Sequence, residues 1–168
     1  MIKAPLLALL SALALAACGG NERRQTVVTK DGKAEITTRD DGEGTTMNVT
    51  GADGAVASFA AGDGARWPSQ WPDFAPAYPG AKVQSSMAGS SKDGSGGMVS
   101  FSTSDPAEKV LDFYKARASA AGIKTVMTAE QGNSRSFSAG DEASGRSLNV
   151  SATSEGGTTQ VTLLAGAK

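Results

Sequence analysis

Ser104-Asp105-Pro106-Ala107-Glu108-Lys109-Val110-Leu111-Asp112-Phe113-Tyr114-Lys115-Ala116-Arg117-Ala118-Ser119-Ala120-Ala121-Gly122-Ile123 carries a helix with both ends marked. Asp105 is a candidate cap, Pro106 suits the first helical position, and Glu108 stands where a capping box needs its carboxylate. Val110, Leu111, Tyr114, Ala118 and Ala121 recur at helical spacing and predict one apolar stripe. Gly122 supplies a residue that tolerates the left-handed backbone of a helix stop.

The segments on either side read as strands. After the helix, residues 123–128, 134–138, 147–153 and 158–164 are strand-like and are punctuated by Gly140, Gly145 and Gly156-Gly157. Connections this short favour an antiparallel meander. The helix is expected to cover one face, burying Leu148, Val150, Val161 and Leu163. Before the helix, residues 81–87 and 98–103 read as strands, with the Ser/Gly-rich 88–97 as a loop between them.

Residues 26–64 alternate strand-like runs with Asp31-Gly32, Asp41-Gly42, Asp53-Gly54 and Asp63-Gly64. Asp-Gly suits type I′ hairpin turns, where both central residues have positive φ. Ala34 with Ile36, Met47 with Val49, and Ala57 with Phe59 each recur at period two, predicting a meander with one apolar face. These acidic turns lack the spacing and closing Glu of a calcium loop, so no metal is expected. The fold class is therefore α+β: an antiparallel β-sheet packed by one main α-helix, preceded by an N-terminal β-meander of short hairpins.

Between the two parts stands Arg66-Trp67-Pro68-Ser69-Gln70-Trp71-Pro72-Asp73-Phe74-Ala75-Pro76-Ala77-Tyr78-Pro79-Gly80. Proline pushes its predecessor to extended conformations, so this segment is not a helix. It reads either as a strap whose rings close one end of the core or as a recognition surface. Trp67, Trp71, Phe74 and Tyr78 are the candidate binding residues.

The chain opens with Lys3, an apolar run over residues 6–15, and Leu15-Ala16-Ala17-Cys18. Charge, apolar run and small residues follow the order of an export signal. The uncharged stretch 4–17 is too short for a spanning helix, which needs about 20 residues. Leu15-Ala16-Ala17-Cys18 resembles the lipobox of bacterial lipoproteins. The resemblance implies cleavage before Cys18 and acyl chains on that residue. Two or more chains hold a protein stably on a bilayer. Gly19, not Asp, follows the cysteine, which by the same resemblance favours the outer membrane, with the domain facing the periplasm. The expected organisation is signal peptide 1–17, lipidated cysteine and tether 18–25, meander 26–65, strap 66–80 and α+β domain 81–168.

Composition narrows the chemistry. There is no histidine, and Cys18 is the only cysteine. That excludes Cys/His zinc sites and His-based catalytic triads within one chain. Sixteen basic against seventeen acidic residues give no nucleic-acid surface. No cofactor is expected.

Two further stretches carry a likeness. Trp71-Pro72-Asp73-Phe74 with Tyr78-Pro79-Gly80-Ala81, and Phe101-Ser102-Thr103-Ser104-Asp105-Pro106 leading to Val110-Leu111-Asp112-Phe113-Tyr114, resemble domains of small uncharacterised envelope lipoproteins. That resemblance implies an architecture and no catalytic motif. The expected function is a lipid-anchored, non-catalytic binding or structural role in the cell envelope. Its partners would be the membrane, through Cys18, and an envelope protein or glycan. Two alternatives stand beside it. One is a carboxylate-dependent cell-wall glycan enzyme, for which Asp105 and Glu108 are the close pair. The other is a carrier of apolar ligands with a cavity beside Phe101, Val110 and Tyr114.

Overall fold

The computed structural model describes residues 22–29, 32–40, 44–51 and 53–168. The leader, Cys18 and the first tether residues lie outside the described residues, as do Asp31, Asp41 and Gly42. The described chain forms one ten-stranded antiparallel sheet and one helix. The strands are β1 (Glu22–Thr29), β2 (Gly32–Asp40), β3 (Gly44–Thr50), β4 (Val56–Gly62), β5 (Lys82–Ser91) and β6 (Gly94–Thr103). Helix α1 (Ala107–Ala120) follows, then β7 (Lys124–Gln131), β8 (Ser134–Asp141), β9 (Arg146–Glu155) and β10 (Thr158–Ala167). The spatial order is β1-β2-β3-β4-β5-β6-β10-β9-β8-β7. After β6 the chain crosses through α1 to the far edge and returns by the expected meander, so that β10 docks against β6.

The α1 stripe is the one expected. Val110, Leu111, Tyr114 and Ala118 are buried, over Phe101, Phe137, Leu148, Val150, Val161 and Leu163. Gly122 has φ +73° and ends the helix; its N–H reaches the Ser119 carbonyl, while the Ile123 N–H reaches that of Ala118. This closes carbonyls the helix cannot satisfy itself.

The helix start differs from the expectation. Pro106, not Asp105, is the N-cap, and it has no side chain that could cap. Asp105 points away, to Tyr78 and Lys109. The cap comes from β9: the Ser154 hydroxyl accepts the Ala107 N–H at 3.2 Å and pairs with Thr159 at 2.8 Å.

The stretch 88–97 is a hairpin within the sheet rather than a loop. Ala88, Gly89 and Ser90 pair with Gly97, Gly96 and Ser95. Its glycines answer a demand for close approach. A Cβ on Gly97 would lie 2.0 Å from the Met87 carbonyl oxygen, and one on Gly96 would lie 2.6 Å from that of Ala165.

The Asp-Gly expectation is corrected at both described pairs. Asp53-Gly54 lies inside a longer loop closed by Gly51 N–H to the Ala55 carbonyl, and only Gly54 has positive φ. The Asp53 carboxylate instead accepts the Ala55 N–H, an Asx turn. Asp63-Gly64 ends β4 and turns the chain into the strap. At the other end β1 begins at Glu22, so the last residues expected in the tether are strand. There Glu22 pairs with Arg24 and Arg39.

The two halves of the sheet turn their apolar side chains to opposite faces. Registered partners in an antiparallel ladder share a face. On the helix side one row runs Phe137, Val150, Leu163, Val99, Ser86, Ala60, Thr46, Arg39, Glu22. It is apolar under α1 and polar beyond it. The adjacent row, on the uncovered face, runs the other way in polarity. Ser138 and Asn149 give way to Leu164, Met98, Met87, Phe59 and Met47.

Candidate functional site

The strap holds the aromatic side chains in an ordered chain of contacts. Trp67 and Trp71 meet edge to face with centroids 5.8 Å apart, and Trp67 approaches Phe101 at 6.0 Å. Tyr78 stacks on Phe101 at 6.0 Å and meets Phe113 edge-on at 5.1 Å. Two hydrogen bonds fix the segment: Trp71 Nε1 donates to the Ala75 carbonyl at 2.7 Å, and the Tyr114 hydroxyl donates to that of Pro76 at 3.1 Å. Ala75 and Tyr78 are fully in the core. Tyr78 therefore does not belong to an exposed surface. It is 4% exposed, because its ring fills the space between Phe101 and α1.

The remaining rings frame two clefts, one on each side of the strap. The first, about 560 Å³, places Trp67 beside Arg66, Lys82 and Val83. The second, about 610 Å³, lies between the strap and the C-terminal end of α1. Trp71, Pro72 and Phe74 form one wall; Arg117, Ala120 and Ala121 form another; Arg146 closes it. Of the four candidate residues, Trp71 and Phe74 line the second cleft, and Trp67 and Tyr78 line the first.

Two arginines line the second cleft. Arg146 is held by three contacts: Nη1 to the Ala121 carbonyl at 2.8 Å, Nε to the Ser144 hydroxyl at 2.8 Å, and the Asp141 carboxylate at 3.5 Å. The Asp141 carboxyl is held below the usual carboxylate range by the Ser144 hydroxyl first, with Arg146 adding to it. Arg117 lies over the Phe113 ring at 5.1 Å and has no carboxylate partner among the described residues. In the last turn of α1 it also complements the helix dipole. Asp73 is the acidic residue of the lining. A cleft with aromatic walls and a cation that has no carboxylate partner among the described residues suits a ligand with an apolar body and an anionic end.

Arg117 and Arg146 were not among the residues expected at a site. The sequence signal for Arg117 is its position one turn after Phe113, which allows the ring contact. Arg146 has no local signal.

Asp105 and Glu108 do not form a free pair. Both Asp105 oxygens are engaged, by Tyr78 at 2.7 Å and Lys109 at 3.0 Å. The Tyr78 hydroxyl, then Lys109, holds that carboxyl below its ordinary value. The space beside Phe101, Val110 and Tyr114 is filled: each is 0% exposed. Among the described residues no group of three or more Asp, Glu, Cys or His could hold a metal ion, and no helix is long and apolar enough to cross a membrane.

A family model described as START domain-like matches residues 83–160. The match covers β5 through α1 into β10 and leaves β1–β4 and the strap outside. A helix packed on an antiparallel sheet fits that description. No curated protein and no solved structure matches the chain.

Proposed function

We propose that the chain is a lipid-anchored cell-envelope protein that faces the periplasm and binds a ligand without transforming it. The anchor rests on Leu15-Ala16-Ala17-Cys18. The binding role rests on one observation: Trp71 and Phe74 share a cleft of about 610 Å³ with Arg146 and with Arg117, which has no carboxylate partner among the described residues. The ligand class is an envelope molecule with an apolar body and a carboxylate, phosphate or sulfonate end. The START domain-like match supports a ligand-binding role. The filled layer under α1 favours the cleft outside it over an internal cavity.

Two experiments test the reading. Cys18→Ser should abolish acyl labelling and release the domain from membranes; labelling that persists refutes the anchor. Anilinonaphthalene sulfonate, an aromatic anion, should fluoresce on the protein and bind less tightly as salt rises. Arg117→Ala should weaken it about tenfold, since a hydrogen bond to a charged group contributes about 1.5–3 kcal/mol. Met87→Ser, on the uncovered sheet face, should leave it unchanged. Undiminished binding to Arg117→Ala refutes the cleft.

A further inference from the structure

All four methionines after the leader lie in one cross-strand row on the uncovered face. The row runs Arg23, Thr38, Met47, Phe59, Met87, Met98, Leu164, Asn149, Ser138, Met127. Its middle, from Met47 to Leu164, is an unbroken apolar ridge across β3, β4, β5, β6 and β10. Met87 is 53% exposed and Leu164 44% exposed, although on the other face of β6 and β10 Val99, Phe101, Val161 and Leu163 are buried. Apolar side chains aligned on neighbouring strands form one contiguous strip, not scattered single exposures. Unbranched, flexible methionines suit a partner without fixed shape.

We propose that this ridge rests on the membrane surface, with Met47, Phe59, Met87, Met98 and Leu164 at the boundary between headgroups and acyl chains. The proposal rests on the lipid anchor at Cys18 and not on the cleft. Three observations select a bilayer as the occupant.

The first is where the chain enters the fold. Arg23 heads the row and stands five residues after Cys18, so the anchor lies within roughly 17 Å of it at about 3.4 Å per residue. The second is charge. The Arg23 side chain shares the ridge's face, is exposed, and has no ion-pair partner among the described residues. It fits a lipid phosphate at the anchored end of the ridge.

The third is area. Five side chains about 4.8 Å apart, in a band about 7 Å wide, present roughly 170 Å². Even doubled by flanking Ile36 and Val49, that is far below the roughly 800 Å² each partner buries in a stable dimer. A patch too small to bind alone works when a tether holds it at high effective concentration. The two acts are then separate: acyl chains retain the protein, and the ridge sets which face looks outward.

The acylated full chain, on vesicles of phosphatidylethanolamine and phosphatidylglycerol, provides the test. An acylated Cys18 has no free thiol, so one introduced cysteine takes one label. An environment-sensitive fluorophore on Met87→Cys, or on Leu164→Cys as a second site, should be quenched by iodide several-fold more slowly than one on Ala116→Cys of α1. Arg23→Glu should reduce that shielding. Equal quenching at the two faces overturns the proposal. So does shielding that grows with protein density on the vesicle, which means a second copy, or shielding found in cells and lost on pure vesicles, which means a protein partner. Two labels per chain with no vesicle binding would instead mean that Cys18 is not acylated, and the anchor itself fails.

Discussion

The Tyr78 hydroxyl donates a 2.7 Å hydrogen bond to Oδ2 of Asp105, tying the Trp/Pro strap to the turn that leads into α1. Lys109 holds the other carboxylate oxygen from one turn into the helix. Strap, helix and the Phe101 strand thus converge on one buried phenol. Tyr78→Phe should cost about 1.5 kcal/mol, the lower end for a hydrogen bond to a charged group. Asp105→Ala should cost more, because it leaves the phenol in the core without its acceptor. Urea midpoints of the two variants and their double check this: a double no worse than Asp105→Ala shows that the pair acts as a unit.

The same phenol gives the fold an alkaline limit. Burial, with the hydrogen bond to Asp105 adding, pushes Tyr78 up to about 12, and burial also raises Tyr114. In the unfolded chain both titrate near 10. Between these values the folded protein keeps protons that the unfolded chain has lost. Stability is therefore fully present below about pH 10 and falls as pH climbs toward 12, by about 1 kcal/mol per pH unit for each tyrosine. Chemical denaturation across that range should show the slope, and Tyr78→Phe should make it shallower. At the acid end the sign reverses. Asp105 titrates below its ordinary value, so its contribution is present above about pH 4 and is lost as pH falls further.

Ser154 carries the cap that the sequence assigned to Asp105. Its hydroxyl reaches the Ala107 N–H across 47 residues of chain and is itself held by Thr159. Ser154→Ala should destabilise by about 1 kcal/mol, as loss of an N-cap does. Glu108→Gln should be nearly neutral, because Glu108 forms no capping box here. Thermal midpoints of the two variants decide between the local cap and the one from β9; a costly Glu108→Gln with a neutral Ser154→Ala would refute the assignment.

What the sequence made legible was local. The α1 stripe, the Gly122 stop and the alternation in β3 and β4 are periodicities within a few residues, and each appears where its period placed it. What it hid depends on strand register. Met47, Met87, Met98 and Met127 look unrelated along the chain, and only the ladder aligns them. Trp71 and Arg146 share a cleft because the strap folds back across α1. The prolines around Tyr78 marked an extended segment but left open whether its ring closes the core or faces a ligand; in the fold the ring is buried. The face change between β4 and β6 was also hidden, since each strand alternates correctly by itself and only pairing shows which side each presents.

Gly97 separates the two uses of glycine in this chain. The residues around it looked like loop because Gly and Ser usually punctuate, yet Gly97 lies inside β6, opposite Ala88. Its place in the ladder leaves no room for a methyl group: a Cβ would sit 2.0 Å from the Met87 carbonyl oxygen and 2.7 Å from the Ala88 Cα. These are backbone atoms, so no side-chain rotation relieves the overlap, and the β5–β6 ladder must open. Gly97→Ala should cost about 3 kcal/mol, the upper range for overpacking a filled interior. Gly122→Ala meets open space and strains only a φ of +73°, for about 1 kcal/mol. Denaturant midpoints should therefore rank Gly97→Ala well below Gly122→Ala. Equal losses would mean that both positions are turns and that 88–97 is not a paired hairpin.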